Sequence, residues 1–462
     1  MKTKFLFLTL LGVVAFSSCN EDLENFNKTV PNFATSIVPE TADDPSVVTQ
    51  SNVANIVKQM SGKMKTRSNS AASYTVQAID NGNTPLMYVV NFENNDGFII
   101  ISATKDYYPI LAYSDTGNFD MDNTVPGVSE WQGIMMKELK NSHLQPEDSV
   151  RKIRRLWSRY DDNTIEKMKE NSQTRSLSND ELWELRMVIE DSITSWNRQG
   201  FGVHDLSYNF FDTEQEYQEM VEGVHYGMYP EYIDNYQDLA VIVSKSVIIY
   251  STKVDNFVLS TWDQGADYNK YFPFQTYQKA PAGCGPVATA QVMRYYCHPQ
   301  PYNWEDMPLN YASDETAKLL FDIAENSYAK YSDLETTTNF NGTSNALSVF
   351  SYTFKRGTDV DIEANCLAKM PIITRGQEKN ATAGHAWVIS GYDYEQICSQ
   401  YEIWAFTGYR SFGKWNTYQQ DHYSTEYQYM NWGWGGRNNG FFYAPFPYTE
   451  LRDYIYDIKP LR

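Results

Sequence analysis

The stretch Ala280-Pro281-Ala282-Gly283-Cys284-Gly285-Pro286-Val287-Ala288-Thr289-Ala290-Gln291-Val292-Met293 sets the reading of the whole chain. Glycines on both sides of Cys284 allow an unusual backbone and leave room around the sulfur. Pro286 suits a first helical turn, where its missing N–H costs nothing. The spacing predicts a helix that begins at Cys284, with the small Ala288 and Ala290 letting it lie close to a neighbour. A thiol at a helix N-terminus faces unpaired N–H groups and the positive end of the dipole, which favours the thiolate that a nucleophile needs. The same residues also suit an inert thiol at a helix cap, so the choice depends on a partner.

That partner is a base, and three histidines follow Cys284. His298 stands 14 residues on, ~20 Å along the same helix, and is excluded by distance. His422, in Tyr418-Gln419-Gln420-Asp421-His422-Tyr423-Ser424, sits in a polar stretch without apolar pattern and is expected as a surface imidazole. His385 follows Ala381-Thr382-Ala383-Gly384 and opens the apolar strand Ala386-Trp387-Val388-Ile389-Ser390. At the mouth of a buried strand a histidine is held rigidly and still reaches a cleft, although a satisfied strand-end histidine reads the same way. Downstream, Tyr429-Met430-Asn431-Trp432-Gly433-Trp434-Gly435-Gly436 is a strand running into a glycine-rich turn. Asn431 can accept the second N–H of an imidazole while Trp432 keeps water off that bond; a tight aromatic hairpin is the plainer alternative. Upstream, Gln264 in Trp262-Asp263-Gln264 can offer its amide N–H to an oxyanion, with the Cys284 backbone N–H as second donor.

Outward from this core, the chain has 462 residues, enough for about three units. It carries 58 acidic against 38 basic side chains, a formal charge of -20. That balance excludes phosphate-driven binding, so no nucleic-acid partner is expected. Apolar residues make up 42% and aromatic residues 15%, with 35 tyrosines, a composition suited to a strand-rich folded protein. Five cysteines without Cys-x-x-Cys spacing suggest neither a disulfide scaffold nor a metal site, and no cofactor is implied.

Residues 1–18 read as an export signal: Lys2 and Lys4, an apolar run from Phe5 to Phe16, then Ser17 and Ser18. About twelve apolar residues are too few to span a bilayer, which takes roughly 20. The run resembles a bacterial lipoprotein signal in which Cys19 becomes the lipidated first residue, although Phe16 stands where Leu is more usual. Residues 19–72 read as a tether, with a short helix near Val53 to Met60. Residues 73–125 read as a β-rich domain with strands Tyr74 to Ile79, Leu86 to Phe92, Gly97 to Ser102 and Ile110 to Tyr113, separated by hairpin signals. Residues 126–245 read as a helical connecting region, with the apolar stripe Leu182, Leu185, Ile189, Ile193 and Trp196 at helical spacing. Its basic knot, Arg151, Lys152, Arg154, Arg155 and Arg159, is expected as a solvated helix face. Residues 246–462 hold the chemistry, with strands expected at Ala386 to Ser390, Ile403 to Phe406, Gln428 to Trp432 and Gly440 to Tyr443.

In combination and in this order, the glutamine, cysteine, histidine and tryptophan-rich segments resemble the streptopain family of bacterial secreted cysteine peptidases. The segment with Met87-Tyr88-Val89-Val90-Asn91-Phe92 and Gly97-Phe98-Ile99-Ile100-Ile101-Ser102 is similar to the inhibitory propeptide of such enzymes. The resemblance implies an α+β fold: a papain-like two-lobed cysteine peptidase domain preceded by a β-rich inhibitory propeptide domain and a helical connecting region. It implies an endopeptidase made as a zymogen, with protein or peptide substrates and its own propeptide as intramolecular inhibitor. By the same resemblance Cys284 attacks the scissile carbonyl, His385 activates it, Gln264 and the Cys284 N–H hold the oxyanion, and Asn431 and Trp432 support His385. The propeptide sheet would block the cleft until a cut between Asp238 and Lys253, with Lys245 a candidate. Cys297, Cys366 and Cys398 are expected as inert buried thiols. Export places the chain at the outer membrane or cell surface through a lipid on Cys19, or as a released mature enzyme. Two rivals stay open: an amidase or transamidase of the same fold, and a catalytically dead surface binding protein.

Overall fold

The computed structural model describes residues 37–42, 44–64, 73–82, 84–121, 125–157, 160, 179–199, 201–206, 211, 214–227, 240–265, 267–376, 384–406, 412–444 and 453–461. The export signal and Cys19 lie outside the described residues. Among the described residues no helix is long and apolar enough to cross a membrane.

The N-terminal body is a helix α1 (Gln50–Lys63) followed by four antiparallel strands, β1 (Tyr74–Asn81), β2 (Thr84–Phe92), β3 (Phe98–Ser102) and β4 (Ile110–Ser114). Period-two alternation sends Met87 and Val89 to one face and Tyr88 and Val90 to the other. Both faces are covered. Helix α2 (Pro126–Asn141) lays Val128, Trp131, Met135 and Leu139, at steps of three and four, on the first face. Helix α1 lays Val53, Ile56, Val57 and Met60 on the second, beside Trp157 from helix α3 (Glu147–Trp157). Val48 and α1, within the stretch assigned to the tether, are therefore core. Of the basic knot on α3, Arg154 is not simply solvated: its Nε meets Asp106 Oδ1 at 2.6 Å.

The connecting region is mixed rather than purely helical, with α4 (Asn179–Arg198), β5 (Gly202–Asp205), α5 (Glu214–Gly227) and β6 (Ala240–Val254). Leu185, Ile189 and Ile193 form the expected stripe on α4 and bury together with Val203, Met220 and the start of β6. Strand β6 pairs over its length with a later strand, His385–Phe406, Lys245 standing opposite Gln400. The described part of the interval expected to be cut is thus a continuous ladder, and Asp238 lies outside the described residues.

The C-terminal part adds α6 (Cys284–Tyr296), α7 (Asp314–Asn326), β7 (Lys330–Tyr331), β8 (Thr336–Thr337), α8 (Phe340–Val349), β9 (Tyr352–Gly357), α9 (Ile362–Leu367), β10 (Ile372–Gly376), β11 (His385–Phe406), β12 (Phe412–Asn431), β13 (Gly440–Ala444) and β14 (Asp453–Pro460). Helices α6, α7 and α8 pack with Trp262 into one lobe, which meets the sheet at Ile373, Val388 and Ile455. The sheet runs β1-β2-β3-β4-β13-β12-β11-β10-β14-β9, so the N-terminal body continues directly into the C-terminal sheet. The joint is β4 on β13, with Tyr113 opposite Phe441 and their rings stacked 5.0 Å apart. This is the α+β architecture expected from the sequence.

Two expected strands, Ala386 to Ser390 and Ile403 to Phe406, are the ends of the single strand β11. The polar stretch around His422 is likewise strand, within β12 and opposite Cys398. The charged residues between them concealed this. Asp393 is 2% exposed, and its charge is met by Lys63 Nζ at 3.0 Å and by the Tyr113 hydroxyl, both from the N-terminal body. Glu395 takes the same lysine at 2.8 Å. A buried carboxylate is tolerated only with such partners.

Candidate active site

Three segments meet at Cys284. Helix α6 opens on Gly283, whose φ of +88° no L side chain adopts comfortably and whose Cβ would lie 2.7 Å from the Thr336 carbonyl oxygen. A Cβ on Gly285 would fall 2.3 Å from Thr338 Oγ1. The glycines flanking the cysteine therefore serve a strained backbone on one side and a close approach on the other. Just before the helix, the Ala282 N–H donates to the Gln264 carbonyl at 2.7 Å, which ties the glutamine loop to the cysteine loop. The Gln264 side chain is buried, and its Nε2 has no hydrogen-bond partner.

Strand β11 brings His385 to the same place: the N–H of Ala386, the residue after it, points at the Cys284 sulfur. The His385 ring is buried and its Nε2 lies 3.0 Å from the Trp432 carbonyl oxygen. A carbonyl only accepts, so Nε2 carries the proton and a neutral ring presents Nδ1 as a bare acceptor. The ring stacks on Trp387 at 5.9 Å and on Trp432 at 6.5 Å.

Trp432 is fixed in turn. Its N–H donates to Asn439 Oδ1 and its Nε1 to the Asn438 carbonyl, both at 3.0 Å. In the turn that follows, Gly433, Gly435 and Gly436 all have positive φ. Their missing side chains let the turn lie on Val287 of α6, on Asp263 and on Thr261.

Asn431 does not take the position expected of it. Its Nδ2 donates to the Ser260 carbonyl at 2.7 Å and its Oδ1 accepts the Gly433 N–H at 3.4 Å. It braces the strand against the segment leading to Trp262, while the imidazole is held by the Trp432 backbone carbonyl. His298 is bonded away from the site, its Nε2 against the Phe350 carbonyl at 3.1 Å. Cys366 and Cys398 are buried, as expected, whereas Cys297 is exposed. It ends α6 in the left-handed region, where the chain turns out to the surface with Arg294 3.3 Å from its sulfur.

The stabilised thiolate is also absent from this state. Cys284 keeps a partly exposed surface, yet the protein packed around it desolvates the sulfur. Burial pushes the thiol up, and the N–H groups of Ala386, Gly285 and Cys284 itself pull it down without offsetting that. Burial likewise depresses His385 to about 4. Sulfur and imidazole are both neutral.

At His385 the N-terminal body supplies part of that burial, through its helix α2. Gly127, in the first turn of α2, lies so close that a Cβ there would come within 2.6 Å of Trp432 Cε3 and 2.7 Å of His385 Cδ2. Beside it, the Asp120 N–H donates to Asn438 Oδ1 at 2.7 Å, on the turn that fixes Trp432. In the sequence Gly127 is simply the residue after Pro126 at a helix start. Only its position against two rings gives it meaning.

The depressed histidine makes folding stability depend on pH. As pH falls from 6.5, the ordinary value, toward about 4, the unfolded chain takes up the proton first. The contribution is therefore complete above 6.5 and is lost on the way down, by roughly 3 kcal/mol. Urea unfolding of the Cys284→Ala chain should show its midpoint falling across that interval, with His385→Asn flattening the fall. Identical pH curves for the two proteins would refute the assignment.

Comparison with known families agrees with this layout. The Spi protease inhibitor family matches residues 46–139, and the peptidase C10 family matches residues 262–301 and 300–442. Among solved structures, a fragment of prointerpain A from Prevotella intermedia, carrying a cysteine-to-alanine substitution, is 14% identical with a TM-score of 0.44, covering 83% of this chain and 98% of that one. Active interpain A cysteine protease from the same organism is 18% identical with a TM-score of 0.33, covering 44% of this chain and 94% of that one. No curated protein matches. With an inhibitor-type domain continuous with a sheet that carries a cysteine helix and a carbonyl-bound histidine, the chain belongs to the peptidase C10 family, the streptopain family of cysteine peptidases.

Proposed function

We propose that the protein is an exported cysteine endopeptidase made as a zymogen, with Cys284 as nucleophile and His385 as its base. The observation that carries this is the Trp432 carbonyl on His385 Nε2, since it leaves Nδ1 unprotonated on the side chain whose strand meets the Cys284 sulfur. In the reaction Nδ1 takes the thiol proton and the sulfur attacks the scissile carbonyl carbon. The resulting oxyanion is received by Gln264 Nε2 and the Cys284 N–H. The imidazolium then returns its proton to the leaving amine, and water, deprotonated by His385, hydrolyses the thioester. Asn431 supports this indirectly by bracing the strand that ends in Trp432.

The N-terminal body keeps the pair neutral and covered, so activity follows its departure. The charged and apolar N-terminal run supports export, and Cys19 supports a lipid anchor on the outer membrane or cell surface, released with the rest of the propeptide on maturation.

An irreversible peptide epoxide applied during maturation, with casein in the same tube, tests the reading. Mass spectrometry should find the label on Cys284 and on no other cysteine, with casein cleavage stopping in step. Casein cleavage that persists in fully labelled protein, or label that accumulates equally on the exposed Cys297, would overturn it.

A further inference from the structure

Gln264 has a problem that the mechanism leaves open. An oxyanion donor works only if it is already in place, yet the Gln264 amide nitrogen makes no hydrogen bond that could hold it. Beyond the packing around this buried side chain, its position depends on its backbone, and one side chain dominates there. Asp263 Oδ1 accepts the Gln264 N–H at 2.6 Å and the Gly265 N–H at 3.0 Å, while the Gln264 carbonyl is taken by the Ala282 N–H at 2.7 Å. Both sides of residue 264 are thereby fixed, one by Asp263 and one by the cysteine loop.

The second carboxylate oxygen faces the other half of the site. A Cβ on Gly435 would lie 3.0 Å from Asp263 Oδ2, Arg437 Nη2 stands 3.9 Å from the same oxygen, and the Gly435 N–H donates to the Trp262 carbonyl at 3.0 Å. Gly435 and Arg437 belong to the turn that follows Trp432, whose carbonyl holds His385. One carboxylate thus touches both the glutamine arm and the histidine arm.

We infer that Asp263 is a positioning residue, setting the Gln264 amide relative to the turn that carries the Trp432 carbonyl. This rests on the proposed oxyanion role of Gln264. The side chain of Asp263 reaches no substrate atom in this account, and it acts through the two backbone N–H groups it accepts. A neutral asparagine keeps an acceptor oxygen at that place, whereas alanine removes it.

The test uses the full chain carrying Asp263→Ala, Asp263→Asn, Gln264→Ala or the double Asp263→Ala/Gln264→Ala change. Each is matured in trans by immobilised wild-type enzyme that is then removed, and assayed on a fluorogenic peptide. Asp263→Ala should lower kcat by about 10- to 100-fold with KM within about two-fold, the pattern of an interaction realised only in the transition state. Asp263→Asn should recover most of that kcat, and the double variant should be no slower than Gln264→Ala alone, because the two act as a unit. A fully active Gln264→Ala enzyme would overturn the oxyanion reading and this inference together. A crippled Gln264→Ala beside a fully active Asp263→Ala, or losses that multiply in the double variant, would overturn the role of Asp263 alone. Since Asp263→Asn keeps the local hydrogen bonds, it tells loss of positioning from loss of fold: if Asp263→Asn is as slow as Asp263→Ala while melting at the wild-type temperature, the inference fails.

Discussion

Cys284→Ala is expected to abolish peptide cleavage, with kcat falling on the order of 10⁴-fold or more, as when the nucleophile of a triad enzyme is removed. Nothing near Cys284 can substitute for it. Among the described residues the other cysteines are the exposed Cys297 at the far end of α6 and the buried Cys366 and Cys398, and burial raises the Cys366 thiol to about 12. The fold should survive. The side chain is small, partly exposed and neutral in the resting state, so the lost sulfur removes little packing. His385→Ala should cost a similar amount of activity, and the double variant should be no worse than either single one, because the proposed nucleophile and base would act as one unit. The intact chain of Cys284→Ala should persist at full length in a purified preparation where the wild-type chain processes itself. A variant that still hydrolyses casein at more than a few per cent of the wild-type rate would remove Cys284 from the reaction.

The second large effect concerns the covering helix. Gly127→Ala should shorten the lag before casein cleavage begins in the purified intact chain, with the initial rate rising by roughly 10- to 100-fold. The methyl group would be placed 2.6–2.7 Å from atoms of the His385 and Trp432 rings, which neither ring can readily leave. The Trp432 indole is fully buried and bonded through Nε1 to the Asn438 carbonyl, and the imidazole is held through Nε2. Overpacking of this kind costs about 1–3 kcal/mol. Part of it is relieved by tilting α2 away, and each 1.4 kcal/mol shifts the covered state against the open one by about tenfold. Opening also returns water to the imidazole, lifting part of the burial that keeps it neutral. Enzyme matured by removal of the proposed propeptide, α2 included, should be indifferent to the substitution. An unchanged lag would show that α2 does not govern access to the site.

The ion pair between Lys63 and the Asp393–Glu395 segment bears on the same transition. It joins the N-terminal body to strand β11 well away from Gly127. Departure of that body leaves Asp393 without the lysine and the tyrosine hydroxyl that meet it, so strand β11 must regain water there. The covered state is therefore held at two places, one by shape and one by charge.

How legible this was depended on the range of the interactions involved. The start of α6 at Cys284, the four strands between Tyr74 and Ser114 and the stripe on α4 were all readable, because a cap, a turn and an amphipathic face are written in residues a few positions apart. The union of the two expected strands into β11 was not. Asp393 and Glu395 look like loop residues until Lys63 is beside them. Cys297 was misjudged because one left-handed residue at a helix end turned it outward.

At the site itself, the chain alone offered Cys284, His385, Gln264 and the Asn431–Trp432 pair as candidates, since the capacity to act as nucleophile, base or donor is a property of side chains. It could not assign the acceptor of His385, which is a backbone carbonyl 47 positions away; every residue carries such a carbonyl, so no residue type marks it. Nor could it find Gly127, whose contribution is a missing side chain at one point of contact. The ionisation of the sulfur and the imidazole likewise followed from tertiary structure, because desolvation depends on what packs around a group and not on its neighbours in sequence.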